Sequence, residues 1–290
     1  MELLFSKIIP FVISLVTLLC SLFGLPYYPI GEDTISARLE SDFVLTLNED
    51  FSEDTVNKSL WSGHYTYGTQ SSQRRAGYWN NELPFIREGN LVIPCLYLDE
   101  GIGGTGAGWY TAGLDTDGDN GGGFSQLYGY FECRCILPKG AQIWSAFWLM
   151  NDGVYNEDGT GKDGTEIDVY ESFGYSEAIF KNRVSSNLHF DGYGDAHQSY
   201  GGQEFFVKGN PYEEYNTYGL EWNEKEYIFY INGVETFRTS FGGVSQNPEY
   251  LILSVEVADT INDSVDVIEG DCAEFVVDYV RAYQYKDLIK

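Results

Sequence analysis

Positive charge is scarce in this chain: 17 Lys and Arg stand against 44 Asp and Glu among 290 residues, a formal net charge of −27. Without clustered basic residues a protein cannot neutralise a phosphate backbone, so nucleic-acid partners are excluded. Cysteine is equally thin. Beyond Cys20 only Cys95, Cys133, Cys135 and Cys272 remain, an even count that permits disulfides without fixing their pairing. Cys133 and Cys135, two apart, share one face of a strand, which suits packing better than mutual bonding. Buried free thiols are expected, and no His stands close in sequence to make a metal site of them. Repeats and internal linkers are also lacking, so the roughly 265 residues after the N-terminal stretch fit one large domain.

Long apolar runs are missing except at the start. Ile8 to Leu25, 18 residues after Lys7, reads as the core of a secretory signal. It nears the ~20 residues that span a bilayer, so residues 1–25 are a signal peptide or an uncleaved membrane anchor, and the rest is exported in either case. Leu18-Leu19-Cys20 departs from a lipoprotein box because Leu19 is large where a small residue is wanted. Residues 26–42 form a short polar leader, and Phe43-Val44-Leu45-Thr46-Leu47 opens the first strand. The Asp-rich Asp115–Gly121 lacks an EF-hand pattern, having Asn at the sixth position and Gln126 at the twelfth. It reads as a solvated hairpin turn. Val255 to Asp271 reads as an acidic loop.

What the chain has is aromatic and glycine content. Aromatics reach 16%, with 23 Tyr and 33 Gly, the pattern of many short strands, tight turns and an all-β fold. Most of those rings belong to a core; some line a groove.

Within this pattern Glu166-Ile167-Asp168-Val169-Tyr170-Glu171 puts three carboxylates into six residues of a β-branched and aromatic strand. The other reading of so short a run is an exposed acidic strand. Side chains alternate faces along a strand, so Glu166 and Asp168 share a face while Glu171 should point away. One extra residue absorbed between Asp168 and Glu171 would return Glu171 to the shared face, and bulges are over-represented beside active sites. Val169 and Tyr170 are the expected bulge. The Cα atoms of Glu166 and Glu171 would then lie roughly 13 Å apart, and inward lean could bring the carboxyls toward the ~5–5.5 Å of a retaining glycosidase. Asp168 between them would hydrogen-bond one and raise the pKa of its neighbour.

Ordered blocks around this run carry a family resemblance. Tyr128-Gly129-Tyr130-Phe131-Glu132, Leu137-Pro138-Lys139-Gly140 and Ile143-Trp144-Ser145-Ala146-Phe147-Trp148-Leu149-Met150 precede it. Asn187-Leu188-His189-Phe190, Tyr218-Gly219-Leu220-Glu221-Trp222, Tyr230-Ile231-Asn232-Gly233 and Phe275-Val276-Val277-Asp278-Tyr279-Val280-Arg281 follow. From about Phe43 to Tyr285 the chain resembles the laminarinase-type branch of glycoside hydrolase family 16. The resemblance implies an all-β jelly-roll sandwich of the concanavalin-like kind, two antiparallel sheets with a concave substrate cleft, and a catalytic domain over residues 43–290. It implies a secreted, monomeric, retaining endo-hydrolase in which Glu166 is the nucleophile, Asp168 its assistant and Glu171 the acid/base. No cofactor is needed for that chemistry. The bulged spacing moves weight toward a β-1,3-glucan or a galactan without choosing between them; endo-β-1,3-glucanase is ranked first, then endo-β-galactosidase or agarase, then β-1,3-1,4-glucanase. A non-catalytic lectin on the same sandwich would be expected to have lost an acid, whereas all three are present. Acidity favours a neutral polysaccharide over a sulfated one, since Arg74-Arg75 is the one tight basic pair.

The resemblance also implies contacts. Trp144 and Trp148, four apart, share a strand face from which indoles stack on pyranose rings. His189 matches a histidine on the strand after the catalytic one. Tyr78-Trp79-Asn80-Asn81-Glu82 resembles a block lining the groove, so Trp79 and Asn81 are expected at substrate, although Tyr78 and Trp79 stand where the family has Trp and Gly. Thr165 likewise replaces a Gly common before the nucleophile. A structural cation, Ca²⁺ by its hard oxygen ligands, would sit at Asp278 and the backbone of Gly89; Asp278 reads equally as a strand-end hydrogen bonder.

Overall fold

The computed structural model describes residues 12, 15–20, 22–62, 72–118, 123–140, 142–172, 182–258 and 272–289. Among them, alternation of apolar and polar positions produces two stacked sheets. The smaller contains β7 (Gly113–Asp115), β8 (Ser125–Gln126), β10 (Ile143–Met150), β11 (Glu166–Ser172), β12 (Arg183–Phe190), β13 (Gln198–Phe206) and β17 (Glu249–Val257), in the order β13-β12-β11-β10-β17-β7 with β8 also on β17. The larger contains β1 (Phe43–Glu49), β2 (Ser72–Arg74), β3 (Gly77–Trp79), β4 (Phe85–Arg87), β5 (Asn90–Leu98), β6 (Gly108–Thr111), β9 (Gly129–Ile136), β14 (Asn216–Trp222), β15 (Tyr227–Ile231), β16 (Val234–Thr239) and β18 (Cys272–Tyr285). Its order is β16-β15-β14-β9-β18-β5-β6-β3-β2, with β1 on β18 and β4 on β5. The named strand pairs are antiparallel apart from β3 and β6, which run parallel. The all-β two-sheet sandwich of jelly-roll type is therefore the fold.

Parity along β10 shows how the layers are built. Ile143, Phe147 and Leu149 enter the main core between the sheets, while Ala146, Trp148 and Met150 join a second cluster on the opposite face with Tyr250 and Ile252 of β17. A strand apolar on both faces is one covered on both sides. Cys95, Cys133 and Cys135 are buried and all five cysteines are free thiols, which agrees with the packing role expected of them.

Residues 26–42 are polar in sequence but are packed onto the sandwich. Tyr27 bridges to Phe205, Ile35 is buried in a cluster with Phe43, Tyr130, Ile228 and Tyr230, and a short helix, Ser36–Asp42, carries Arg38 onto Glu221. Part of the apolar segment before them lies outside the described residues, and among the described residues no helix is long and apolar enough to cross a membrane. Two loop assignments change. Asp115, placed in a solvated turn, ends β7 fully buried and accepts hydrogen bonds from Ser62 Oγ and the Asp117 amide; residues 119–122 lie outside the description. Val255–Val257, placed in an acidic loop, completes β17, and residues 259–271 lie outside the description.

Candidate active site

The bulge exists where parity requires it. Asp168 pairs with Asn187 and Glu171 with Ser185, so three steps on β11 match two on β12, and the β10 register shifts at the same place. Val169 and Tyr170 both turn into the main core. Tyr170 packs at 4.1 Å between ring centroids against Tyr218, and Ser186 Oγ donates to the Val169 carbonyl at 2.8 Å. Burying two consecutive side chains on one side is what returns Glu171 to the face of Glu166 and Asp168. All three line an open cleft of about 500 Å³ on the outer face of the smaller sheet.

Their environments differ. Glu166 is part-exposed, and the Tyr193 hydroxyl donates to its Oε2. Asp168 is 3% exposed; burial, then the charges of Glu166 and Glu256, push its carboxyl well above the usual range. Glu171 is also raised well above it, first by burial and then by Asp168 and Glu166, against the opposing pull of His189 and of the Asn187 amide that donates to Glu171 Oε2. Like charges gathered in a desolvated place disfavour one another's ionisation, which is why both carboxyls are raised.

His189 stands opposite Glu166 in register. Its Nε2 is 3.3 Å from Asp168 Oδ2, and its Nδ1 is 3.0 Å from Nε2 of His197, the two rings stacked 9° from parallel. Donor atoms of Glu166, Asp168 and His189 lie within 4.8 Å of one another, a spacing that two catalytic carboxylates and a supporting imidazole also produce.

Trp144 and Trp148 both line the cleft as expected. Trp148 donates from Nε1 to Ser254 Oγ at 3.0 Å, and the Arg75 guanidinium lies 4.4 Å from the Trp144 ring centroid. Trp79 is not at the cleft. It is 1% exposed, donates its indole N–H to the Val255 carbonyl at 2.8 Å and packs over Gly113, where a Cβ would come within 2.6 Å of its ring. The indole fits here because Gly113 presents no side chain beneath it. Asn81 is part-buried in the turn after β3 and does not line the cleft. Sequence reasoning missed Arg75, Asn187, Tyr193, His197, Ser254 and Glu256, which do line it. The signal for Asn187 was available, since it sits two residues before His189 and so shares its face. Arg75, at a φ of +52° between β2 and β3 and paired with Glu256, gave none.

The expected cation ligands are otherwise engaged. Asp278 Oδ2 accepts from Arg134, whose guanidinium lies 4.3 Å from the Tyr215 ring centroid, and Gly89 forms the β4–β5 turn at a φ of +72°. A guanidinium already neutralises the carboxylate, so these residues do not fit a bound cation.

Comparison with known proteins gives a consistent kinship. A family model described as beta-porphyranase A-D, GH16 domain, matches residues 43–285. A glucan endo-1,3-beta-glucosidase A1 of Niallia circulans is 26% identical over 266 residues, 83% of this chain and 38% of that protein. An endo-1,3-1,4-beta-glycanase of Rhizobium meliloti is 29% identical over 203 residues, 69% of this chain and 39% of that protein. The chain thus spans about two fifths of the curated relatives it matches. Among solved structures, porphyranase B of Zobellia galactanivorans superposes with a TM-score of 0.67 at 24% identity, covering 90% of this chain and 98% of that one, a likeness of fold. With the family model extending over nearly the whole described sandwich and the bulged acidic strand at its centre, the chain belongs to glycoside hydrolase family 16, in the group of the beta-porphyranase A-D GH16 domain.

Proposed function

We propose that the protein is a retaining endo-glycoside hydrolase of a polysaccharide, acting through Glu166 as nucleophile, Asp168 as its assistant and Glu171 as acid/base. The observation that carries this reading is the bulge that sets all three carboxylates on the cleft face while burial and like charge keep Glu171 protonated. In the first step Glu171 gives its proton to the glycosidic oxygen as that bond breaks, and a Glu166 carboxylate oxygen bonds to the anomeric carbon. In the second, ionised Glu171 takes a proton from water, whose oxygen displaces Glu166 and frees the sugar. Trp144 and Trp148 supply apolar faces for pyranose rings. An open cleft admits a continuous chain, which suits internal cleavage. Export through residues 1–25, as signal or anchor, belongs to the same proposal.

For the substrate, a galactan of the agar and porphyran class comes first, ahead of the β-1,3-glucan that sequence reasoning ranked highest. The support is the porphyranase-type family model, which matches residues 43–285. Arg75 stands on the cleft wall, where it is paired with Glu256 and lies over the Trp144 ring. β-1,3-Glucan is the second reading, supported by the Niallia relative. The test is to incubate the full chain with porphyran, agarose, laminarin and mixed-linkage glucan beside a Glu166→Gln control and to size the products. Oligosaccharides from the galactans alone, absent in the control, are expected. Products from laminarin alone would move the substrate to glucans, and binding without any cleavage would replace the hydrolase with a lectin.

A further inference from the structure

A second carboxyl lies directly behind the acidic strand, and the chemistry above does not use it. Glu249 opens β17 on the same face as Leu251 and Leu253, the side turned into the sandwich, and is fully buried. A lone carboxyl in an apolar core costs several kcal/mol unless it is neutral and hydrogen-bonded, or holds something in place. Its Oε1 accepts from the backbone amide of Thr165 at 3.3 Å. Thr165 immediately precedes Glu166, so this bond anchors the peptide from which that side chain departs.

The rest of the pocket supports the same peptide. Thr165 Oγ1 donates to the Gly161 carbonyl at 2.8 Å, a tie that a glycine at this position would lack. Gly161 N is bonded to Gly242 O at 2.9 Å, and Gln246 N to Lys162 O at 2.9 Å, fastening the preceding turn to the loop before β17. Ser245 N donates to the Tyr227 hydroxyl at 2.7 Å, tying that loop to the larger sheet. Burial pushes the Glu249 carboxyl up to about 8, against the hydrogen bond of the Thr165 amide, with the Glu166 charge adding to the rise. Protonated at neutral pH, it presents a carbonyl oxygen to the Thr165 amide and no charge to the cleft.

We infer that Glu249 is a positioning residue, which through its bond to the Thr165 amide fixes the backbone that aims the Glu166 carboxylate. This rests on the assignment of Glu166 as nucleophile. Two variants and two readouts test it. Glu249→Gln is the neutral isostere of the protonated acid and keeps the acceptor; Glu249→Leu fills the volume and removes it. Expected is a kcat loss of about 10²-fold in Glu249→Leu with KM little changed, since a small misplacement of a reacting group acts on the chemical step, and near-complete rescue in Glu249→Gln. Amide hydrogen exchange over residues 161–168 should accelerate in Glu249→Leu and stay slow in Glu249→Gln. A folded Glu249→Leu enzyme with unchanged kcat and unchanged exchange would overturn the assignment, as would a Glu249→Gln enzyme as slow as Glu249→Leu. If the wild type cleaves no glycan, the hydrolase reading fails, and anchoring of the Thr165 peptide then stands or falls on the exchange result.

Discussion

Glu171 in the cleft and Glu221 on the outer face of the larger sheet are both glutamates almost withdrawn from water, 8% and 3% exposed, yet they are driven to opposite protonation states. Burial raises both. For Glu171 the neighbours are Asp168 and Glu166, which raise it further, while His189 and Asn187 resist. For Glu221 the Arg38 guanidinium grips both oxygens at 2.8 Å, and the hydroxyls of Tyr285 and Tyr230 donate at 2.8 and 2.9 Å. Together these hydrogen bonds and the Arg38 charge outweigh burial and hold Glu221 below the usual range. The difference lies in the company each acid keeps: a fully satisfied ionised carboxylate contributes structure, and an under-satisfied one held protonated is available for proton transfer.

Exchanging each acid for its neutral amide breaks the comparison most directly. Glu171→Gln is expected to lower kcat on the cleaved glycan by about 10³-fold or more, the scale of a lost general acid, while its thermal midpoint holds, because the amide is the neutral isostere of an acid whose ionised form burial disfavours. Glu221→Gln should do the reverse, keeping activity and losing stability. Steady-state rates set beside thermal unfolding of both variants decide it, and a Glu171→Gln enzyme of wild-type rate would dismiss the acid/base role.

Stability against pH sharpens the contrast. Glu249, raised from 4.5 to about 8 by burial, binds its proton more tightly folded than unfolded. Its contribution is therefore complete below pH 4.5 and lost as pH rises through 8, a swing on the order of 5 kcal/mol for a single group. Glu221, lowered in the folded state, works in the opposite sense: its contribution is present above the unfolded value and lost as pH falls through the folded one. Urea unfolding at pH 5 and pH 9 should show Glu249→Gln losing less stability than wild type over that interval; equal losses would mean that Glu249 ionises without cost.

Arg38 carries the structural half of the comparison. Arg38→Leu would leave Glu221 without its counter-charge, and a loss of about 2–3 kcal/mol is expected in urea unfolding, less than for a wholly buried pair because the Arg38 side chain is 38% exposed. Activity of the folded fraction should be unchanged. A loss near zero would assign residues 26–42 to the leader that their polarity suggests, in place of the clasp that Ile35 and Arg38 form.

That contrast also marks what the sequence could convey. The jelly-roll sandwich was legible through the family resemblance of the ordered blocks, whereas the bulge at Val169 and Tyr170 and the common face of Trp144 and Trp148 follow from parity within single strands, a rule that operates over a few residues. The burial of Trp79 does not, because it depends on Gly113, more than thirty positions away, presenting no side chain beneath the indole. Arg75, Glu256 and Tyr193 reach the cleft from β-turns and strands that only the sheet order makes neighbours. Likewise nothing in the polar run of residues 26–42 reveals that Arg38 finds Glu221, 183 positions later. Local periodicity was legible; convergence of distant side chains was not.

The smallest expected effect concerns the residues that tune Glu171 without reacting. Asn187 donates to Glu171 Oε2 and so favours the ionised form, whereas an ionised Asp168 disfavours it. The acid must be protonated to cleave, so its pKa in the free enzyme sets the alkaline limb of kcat/KM. Asn187→Ala should move that limb to higher pH and Asp168→Asn should move it lower, each with an intact fold. Because the two changes act on one proton with opposite signs, the pair of profiles separates tuning of Glu171 from general damage to the cleft: limbs displaced in the same direction, or not at all, would show that a different group limits the rate.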